Sequence, residues 1–187
     1  MARASKVDEI VAVAAGVLER DGLDRFVMRH IADLADMKLG NLQYYFPTRD
    51  DLLDAVVRSA FAEDLAVIYS AKIEAPDRRL ARIVRTLSTR WSLHYGGAYL
   101  PIAVLALHNK RFQQTLSEIY ATFHELMCDI VTEIDPQATR NTAQRRAFLM
   151  TSLLDGASLQ PGRNDPAISD SLVDDLTRLT LAIAKGP

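Results

Sequence analysis

Residues 29–49 read Arg29-His-Ile-Ala-Asp-Leu-Ala-Asp-Met-Lys-Leu-Gly-Asn-Leu-Gln-Tyr-Tyr-Phe-Pro-Thr-Arg49, and two short helices fit them at helical period. The first, from about Met28 to Ala35, turns Ile31, Leu34 and Ala35 inward. The second, from about Leu39 to Tyr45, turns Leu42 and Phe46 inward at i, i+4, and Pro47 ends it. About three residues separate the two, too few for antiparallel stacking, so the pair must cross steeply as a helix-turn-helix. Asp36 falls where such a turn needs a left-handed residue, a conformation that Asp tolerates better than most.

The second helix then leaves Lys38, Asn41, Gln43 and Tyr44 facing outward. Asn and Gln can hydrogen-bond base edges, and Gly40 lets the backbone come close to a groove. Tyr45 and Arg49 suit phosphate oxygens, as does the positive end of a helix that Thr48 can cap, with Asp50 and Asp51 in its first turn. Leu42, Tyr45 and Phe46 can equally be the core of a small three-helix unit, and for Leu42 and Phe46 that is the reading adopted. The expectation of double-stranded DNA as partner rests on Lys38, Asn41, Gln43, Tyr44 and Arg49.

Working outward, Val7, Ile10, Val11, Ala14 and Leu18 form one apolar stripe, with Gly22 placed to end that helix. The helix that Thr48 opens carries Leu52, Leu53, Val56, Val57, Ala60, Phe61, Leu65 and Ile68. Pro76 restarts the chain before Leu80, Ile83, Val84, Leu87 and Trp91. Phe112, Leu116, Ile119, Phe123, Leu126 and Ile130 recur at heptad-like spacing, and Asp135-Pro136 closes that helix. A helix over about 139–159, a loop over 160–166 with Pro166 at a first helical position, and a last helix with Leu172, Leu176, Leu179 and Ile183 complete the chain. No period-2 alternation appears, so the fold class is all-α with eight to ten helices.

Composition is that of a globular protein: 49% hydrophobic and 25% charged residues in 187. No apolar run is long enough to span a membrane, and the basic N-terminus leads into an amphipathic helix where a signal peptide needs an apolar stretch. The single cysteine, Cys128, fits a reducing compartment, and the expected location is the cytoplasm. The net charge of -2 argues against a nucleic-acid protein, but residues 25–49 set Arg25, Arg29, Lys38 and Arg49 against Asp33 and Asp36. Phosphate contacts need only a local patch. No phosphate-binding glycine loop, HExxH or Cys/His set at metal-ligand spacing is found. An enzyme, a catalytic set, a metal and a cofactor are therefore not expected. An adaptor that kept the fold and lost DNA binding is the other alternative.

The stretch Gly40-Asn-Leu-Gln-Tyr-Tyr-Phe-Pro-Thr-Arg-Asp-Asp-Leu-Leu53, with Ile31-Ala32 and the amphipathic helix before them, resembles the tetracycline-repressor (TetR/AcrR) family. The resemblance covers residues 7–53. It implies about nine helices, a helix-turn-helix DNA-binding domain over 1–50, and a ligand-binding and dimerisation domain over 51–187. It also implies a repressor that grips a palindromic operator as a homodimer paired through its last two helices and is released by a small-molecule effector. By position, Arg29 matches a residue that can reach bases from the first motif helix. Lys38, Leu39, Gly40, Asn41, Gln43 and Tyr44 match the recognition-helix positions, and Tyr45 and Arg49 match phosphate clamps. Phe26-Val27 stand where the family has a Thr or Ser capping pair, Asp36 stands for its turn Gly, and Gln43 stands for a frequent Tyr.

In the C-terminal region, Trp91, His94, Tyr95, Tyr99, His108, Phe112, Phe123 and Met127 are candidates for an effector pocket, with ordinary core packing as the alternative for each. Asp155 interrupts a largely apolar helix, and buried carboxylates seldom go unpaired, so it either binds a cationic ligand or caps a local network. Arg78, Arg79, Arg82 and Arg85 read as a solvated helix face, with a second nucleic-acid surface as the minor option.

Overall fold

In the computed structural model the described residues are 5–70, 73–92, 99–160 and 166–186, without the side chains of 91, 92, 100 and 166–170. Among them are nine α-helices and no strand, as the periodicity predicts: α1 Lys6–Arg25, α2 Met28–Leu34, α3 Leu39–Tyr45, α4 Arg49–Ser70, α5 Pro76–Ser92, α6 Tyr99–Ala106, α7 Lys110–Ile134, α8 Arg140–Ser158 and α9 Pro166–Lys185. They form two compact units. One comprises Met1–Glu63 and Ala98–Gln113; the other comprises Asp64–Gly97 and Gln114–Pro187. Helices α4 and α7 each contribute to both.

In the first unit α1 opens on a reciprocal cap. The Asp8 N–H donates to Ser5 Oγ at 3.2 Å and the Ser5 N–H to the Asp8 carboxylate at 3.0 Å. Gly22 takes φ 73, which only glycine adopts cheaply, so the regular helix breaks there and the chain turns through 23–25. Ile10, Ala14 and Val17 of α1, Phe26 at its C-cap, Ile31 and Ala32 of α2, Leu42 of α3 and Leu52, Leu53 and Val57 of α4 are fully buried and build the core of this unit. Each such aliphatic or aromatic residue contributes about 1.5–3 kcal/mol by burial. Leu34 corrects the expected inward set: it is 47% exposed, because Ala32 takes the buried position beside Ile31 on a helix of only seven residues.

Thr48 caps α4 as its sequence position implies. Its Oγ1 accepts the Asp51 N–H at 3.1 Å, and its own N–H donates to the Asp51 carboxylate at 2.8 Å. The turn between α6 and α7 belongs to the same unit: Arg111 reaches the Asp51 carboxylate at 2.6 Å, and Asn109 reaches that of Asp50 at 3.3 Å.

In the second unit α5, α8 and α9 pack on one another. Their core is Leu80, Ile83, Val84 and Leu87 with Ala143, Ala147, Met150 and Leu154 and with Leu176 and Ala184. From α7, Ile119, Phe123, Met127, Ile130 and Val131 are buried, whereas Leu116 and Leu126 of the expected heptad are only half-buried. Buried Thr151, Thr177 and Thr180 return their hydroxyls to carbonyls four residues back, which satisfies polar groups on apolar faces. Arg79 departs from the solvated face expected of it. It is 6% exposed and pairs with Glu133 at 2.9 Å, while Arg82 and Arg85 pair with Glu74 and Asp174. Arg78 and Arg85 are exposed and Arg82 half-buried, as a solvated face implies, so Arg79 alone is drawn inward.

Hydrogen bonds from Thr48 and then Arg111 hold the Asp51 carboxyl below its ordinary range. Its contribution to stability is therefore present at neutral pH and lost as pH falls through the carboxylate range. Asp51→Ala is expected to lower stability by about 1 kcal/mol at pH 7. In thermal melts the gap from the parent protein should narrow as pH falls below the ordinary carboxylate range, as the parent carboxylate is itself protonated.

Candidate nucleic-acid interface

The turn between α2 and α3 is closed by its own backbone. The Met37 N–H bonds to the Ala32 carbonyl at 3.0 Å and the Asp36 N–H to that of Asp33 at 3.3 Å. Asp36 sits at φ 49, the left-handed conformation its position called for. Lys38 then stands extended before α3, and its carbonyl accepts from Asn41 at 2.9 Å and Leu42 at 3.1 Å. Buried Leu42 and Phe46 fix which face of α3 points inward. The opposite face presents Lys38, Gly40, Asn41, Gln43 and Tyr44, all exposed, with Tyr44 83% accessible and Leu39 half-buried at the edge. Tyr44 meets Tyr45 edge to face, with centroids 5.3 Å apart. Lys6, Asp36, Lys38, Asn41, Tyr44 and Tyr45 line one shallow open recess there.

The side chains of Arg29, Lys38, Asn41, Gln43 and Tyr44 make no hydrogen bond or ion pair with another described residue. Lys38, Asn41, Gln43 and Tyr44 thus leave polar groups uncommitted on the exposed face of α3, and Arg29 does so on α2. Phosphate oxygens and base edges have the matching acceptors and donors.

Arg49, expected to hold phosphate, is engaged inside the unit. Its Nε donates to the Phe26 carbonyl at 2.7 Å and its Nη2 to that of Leu23 at 2.9 Å, and the guanidinium lies 5.9 Å from the Phe26 ring centroid. The N-terminus of α4, another expected phosphate site, already satisfies itself through the Thr48–Asp51 pair. The outward set therefore lies on Arg29 and α3, with Tyr45 at its rim.

Among the candidate effector residues, His94 and Tyr95 and the side chain of Trp91 lie outside the described residues. Tyr99 is half-buried, His108 is exposed on the α6–α7 turn and Phe112 is fully buried, all in the first unit. Phe123 and Met127 are buried core of the second. Asp155 is half-buried and accepts a hydrogen bond from the Tyr120 hydroxyl at 2.8 Å, beside His124. Tyr120 and His124 were missed by the sequence reading; their i, i+4 placement on α7 was the available signal.

Arg49→Lys keeps the charge but loses the planar fork, so it should cost about 1–2 kcal/mol of thermal stability, nearly as much as Arg49→Ala. Equal stability of parent and Lys variant in chemical denaturation would refute this role.

Residues 10–56 match the family model for bacterial regulatory proteins of the tetR family. A helix-turn-helix transcriptional regulator from the dhlA 5' region of Xanthobacter autotrophicus is 38% identical over 68 residues, 36% of this chain and 34% of that one. A second such regulator, from Saccharopolyspora erythraea, is 36% identical over 56 residues, 30% of this chain and 24% of that one. The matched stretches thus span only about a third and a quarter of these relatives. Beyond the matched domain the fold is shared. A transcriptional regulator from Rhodococcus sp. RHA1 superposes with a TM-score of 0.78 at 20% identity, over 98% of this chain and 100% of that one. A TetR-family regulator from Streptomyces coelicolor does so with a TM-score of 0.81 at 15% identity, over 97% and 96%. Residues 10–56 thus carry a helix-turn-helix domain of the tetR family, and the chain shares its overall fold with TetR-family regulators.

Proposed function

We propose that the protein is a repressor that binds a palindromic operator as a homodimer and is released by a small-molecule effector. The observation that carries the DNA-binding part is the uncommitted face of α3. Lys38, Asn41, Gln43 and Tyr44 stand exposed and unpaired while Leu42 behind them is fully buried. Gln43, with Asn41, is the base reader on this view, and Lys38 and Tyr45 take phosphates. Residues 1–50 read the operator, and residues 51–187 hold the effector and the second copy.

The reading places the protein in the cytoplasm; no helix among the described residues is long and apolar enough to cross a membrane. Dimerisation through α8 and α9 is supported by Leu149 and Leu179, large apolar residues left exposed on these two helices. Two recognition helices must then lie about 34–36 Å apart to enter successive major grooves, so a small change in spacing suffices for release.

Fluorescence anisotropy with a fragment from upstream of the protein's own gene tests the reading. Gln43→Ala and Tyr44→Ala should each weaken specific binding by about tenfold, within the cost of one base contact. Lys38→Ala should reduce the salt slope by about 1 while weakening all sequences alike. Absence of salt-sensitive binding to any upstream fragment would sink the proposal. For the dimer, Leu149→Arg combined with Leu179→Arg should shift sedimentation towards the monomer; an unchanged species places the interface elsewhere.

A further inference from the structure

In the second unit α7 and α8 set four side chains next to one another. Tyr120 and His124 stand one turn apart on α7, and Phe148 and Asp155 stand two turns apart on α8. The Tyr120 hydroxyl donates to Asp155 Oδ2, and the His124 ring centroid lies 5.7 Å from that of Tyr120 and 5.6 Å from that of Phe148. On α8 only short side chains, Thr151 and Ser152, intervene on this flank between Phe148 and Asp155. Phe148 is 60% exposed, so the row of rings opens outward.

The charge of Asp155 is unanswered. Tyr120 is the one described residue that hydrogen-bonds its carboxylate, and no described Lys or Arg pairs with it. A phenol satisfies an oxygen lone pair but does not neutralise a half-buried anion. Burial pushes His124 towards its neutral form and raises the Asp155 carboxyl as well, so within the protein neither ring nor phenol supplies the cation that would hold Asp155 charged. A bare metal ion fits poorly, since no group of three or more candidate ligands is found among the described residues. An ammonium bearing apolar groups fits both features at once: its charge answers Asp155, and its alkyl surface lies on ring faces that attract cations.

We propose that Tyr120, His124, Phe148 and Asp155 form a binding site for an organic cation of the alkylammonium class. The site stands on its own geometry; that its occupant is the effector rests on the reading above.

Calorimetric titration of the full-length protein, free of DNA, with benzyltrimethylammonium tests the site, with sodium chloride at equal ionic strength as control. Binding is expected, with Asp155→Asn weakening it at least about tenfold and Phe148→Leu by about two- to fivefold. The NMR signal of the His124 ring, assigned with His124→Gln, should shift on addition in the parent and not in Asp155→Asn. Asn can still accept from Tyr120, so this variant should fold; if its melt shows otherwise, Phe148→Leu carries the test. No heat at millimolar cation, or affinity unchanged in both variants, overturns the proposal. So does a change in sedimentation of Asp155→Asn without cation binding, since the charge is then met by a second copy of the chain. Operator affinity measured with and without the same cation separates the two readings. Unaltered affinity despite binding keeps the site and removes it as the effector site, whereas operator release by other compounds without binding here removes the site alone.

Discussion

The helix-turn-helix of this protein hangs from a bracket. Arg49, the first residue of α4, donates to the carbonyls of Leu23 and Phe26 at the end of α1 and lies against the Phe26 ring. Everything between, α2, its turn and α3, is an excursion whose two ends that guanidinium fastens together. Pinning the ends leaves α2 and α3 little freedom beyond their own crossing. The crossing is then set by Asp36 at its left-handed turn and by buried Ile31 and Leu42. A lysine could not make both bonds from one rigid plane, which distinguishes a bracket from a charge.

Such a bracket explains how an anionic chain presents a surface suited to DNA. Some exposed charges elsewhere are spent on one another: Arg58 on Asp54, Arg140 on Glu125, Arg178 on Asp175. These exposed pairs contribute little to stability, but they leave no free positive charge at those places. On α3 the pattern reverses. Lys38, Asn41 and Gln43 stay unpaired because no partner shares their face, and the helix is held from behind by Leu42 and Phe46. Net charge therefore describes the body of the molecule and not its reading face.

The helix-turn-helix was legible in sequence because its determinants are local. Spacing of Leu42 and Phe46, the tolerance of Asp36 for a positive φ, and Pro47 as terminator all act within a few residues. The internal bonds of Arg49 were not legible, for the opposite reason: its partners lie 23 and 26 residues away, and no periodicity records a guanidinium meeting carbonyls. Arg79 is the same kind of failure, a charge placed by pattern on a solvated face whose Glu133 partner lies on another helix. Leu34 failed differently. On a seven-residue helix the apolar stripe has two admissible positions, and tertiary packing chose Ala32. Asp155 was legible as an anomaly; its partners Tyr120 and His124 came only with the fold.

The start of α4 also ties the helix-turn-helix to the α6–α7 turn of the same unit without a separate hinge. Asp51 takes the Thr48 backbone and hydroxyl on one carboxylate oxygen and the Arg111 guanidinium on the other. One carboxylate thus ends the helix-turn-helix and anchors the α6–α7 turn. Asn109 reinforces that anchor at Asp50, and Arg111 also approaches Asp54 at 3.9 Å. Because these bonds sit at the first turn of α4, a shift of the 107–111 turn acts on the same residues that cap the helix behind α3. Coupling free energies between sites are typically only about 1–3 kcal/mol, the scale of one or two such bonds. On the proposed reading of a ligand-responsive regulator, the physical requirement is therefore modest: a bias on one shared carboxylate, delivered where the helix-turn-helix ends.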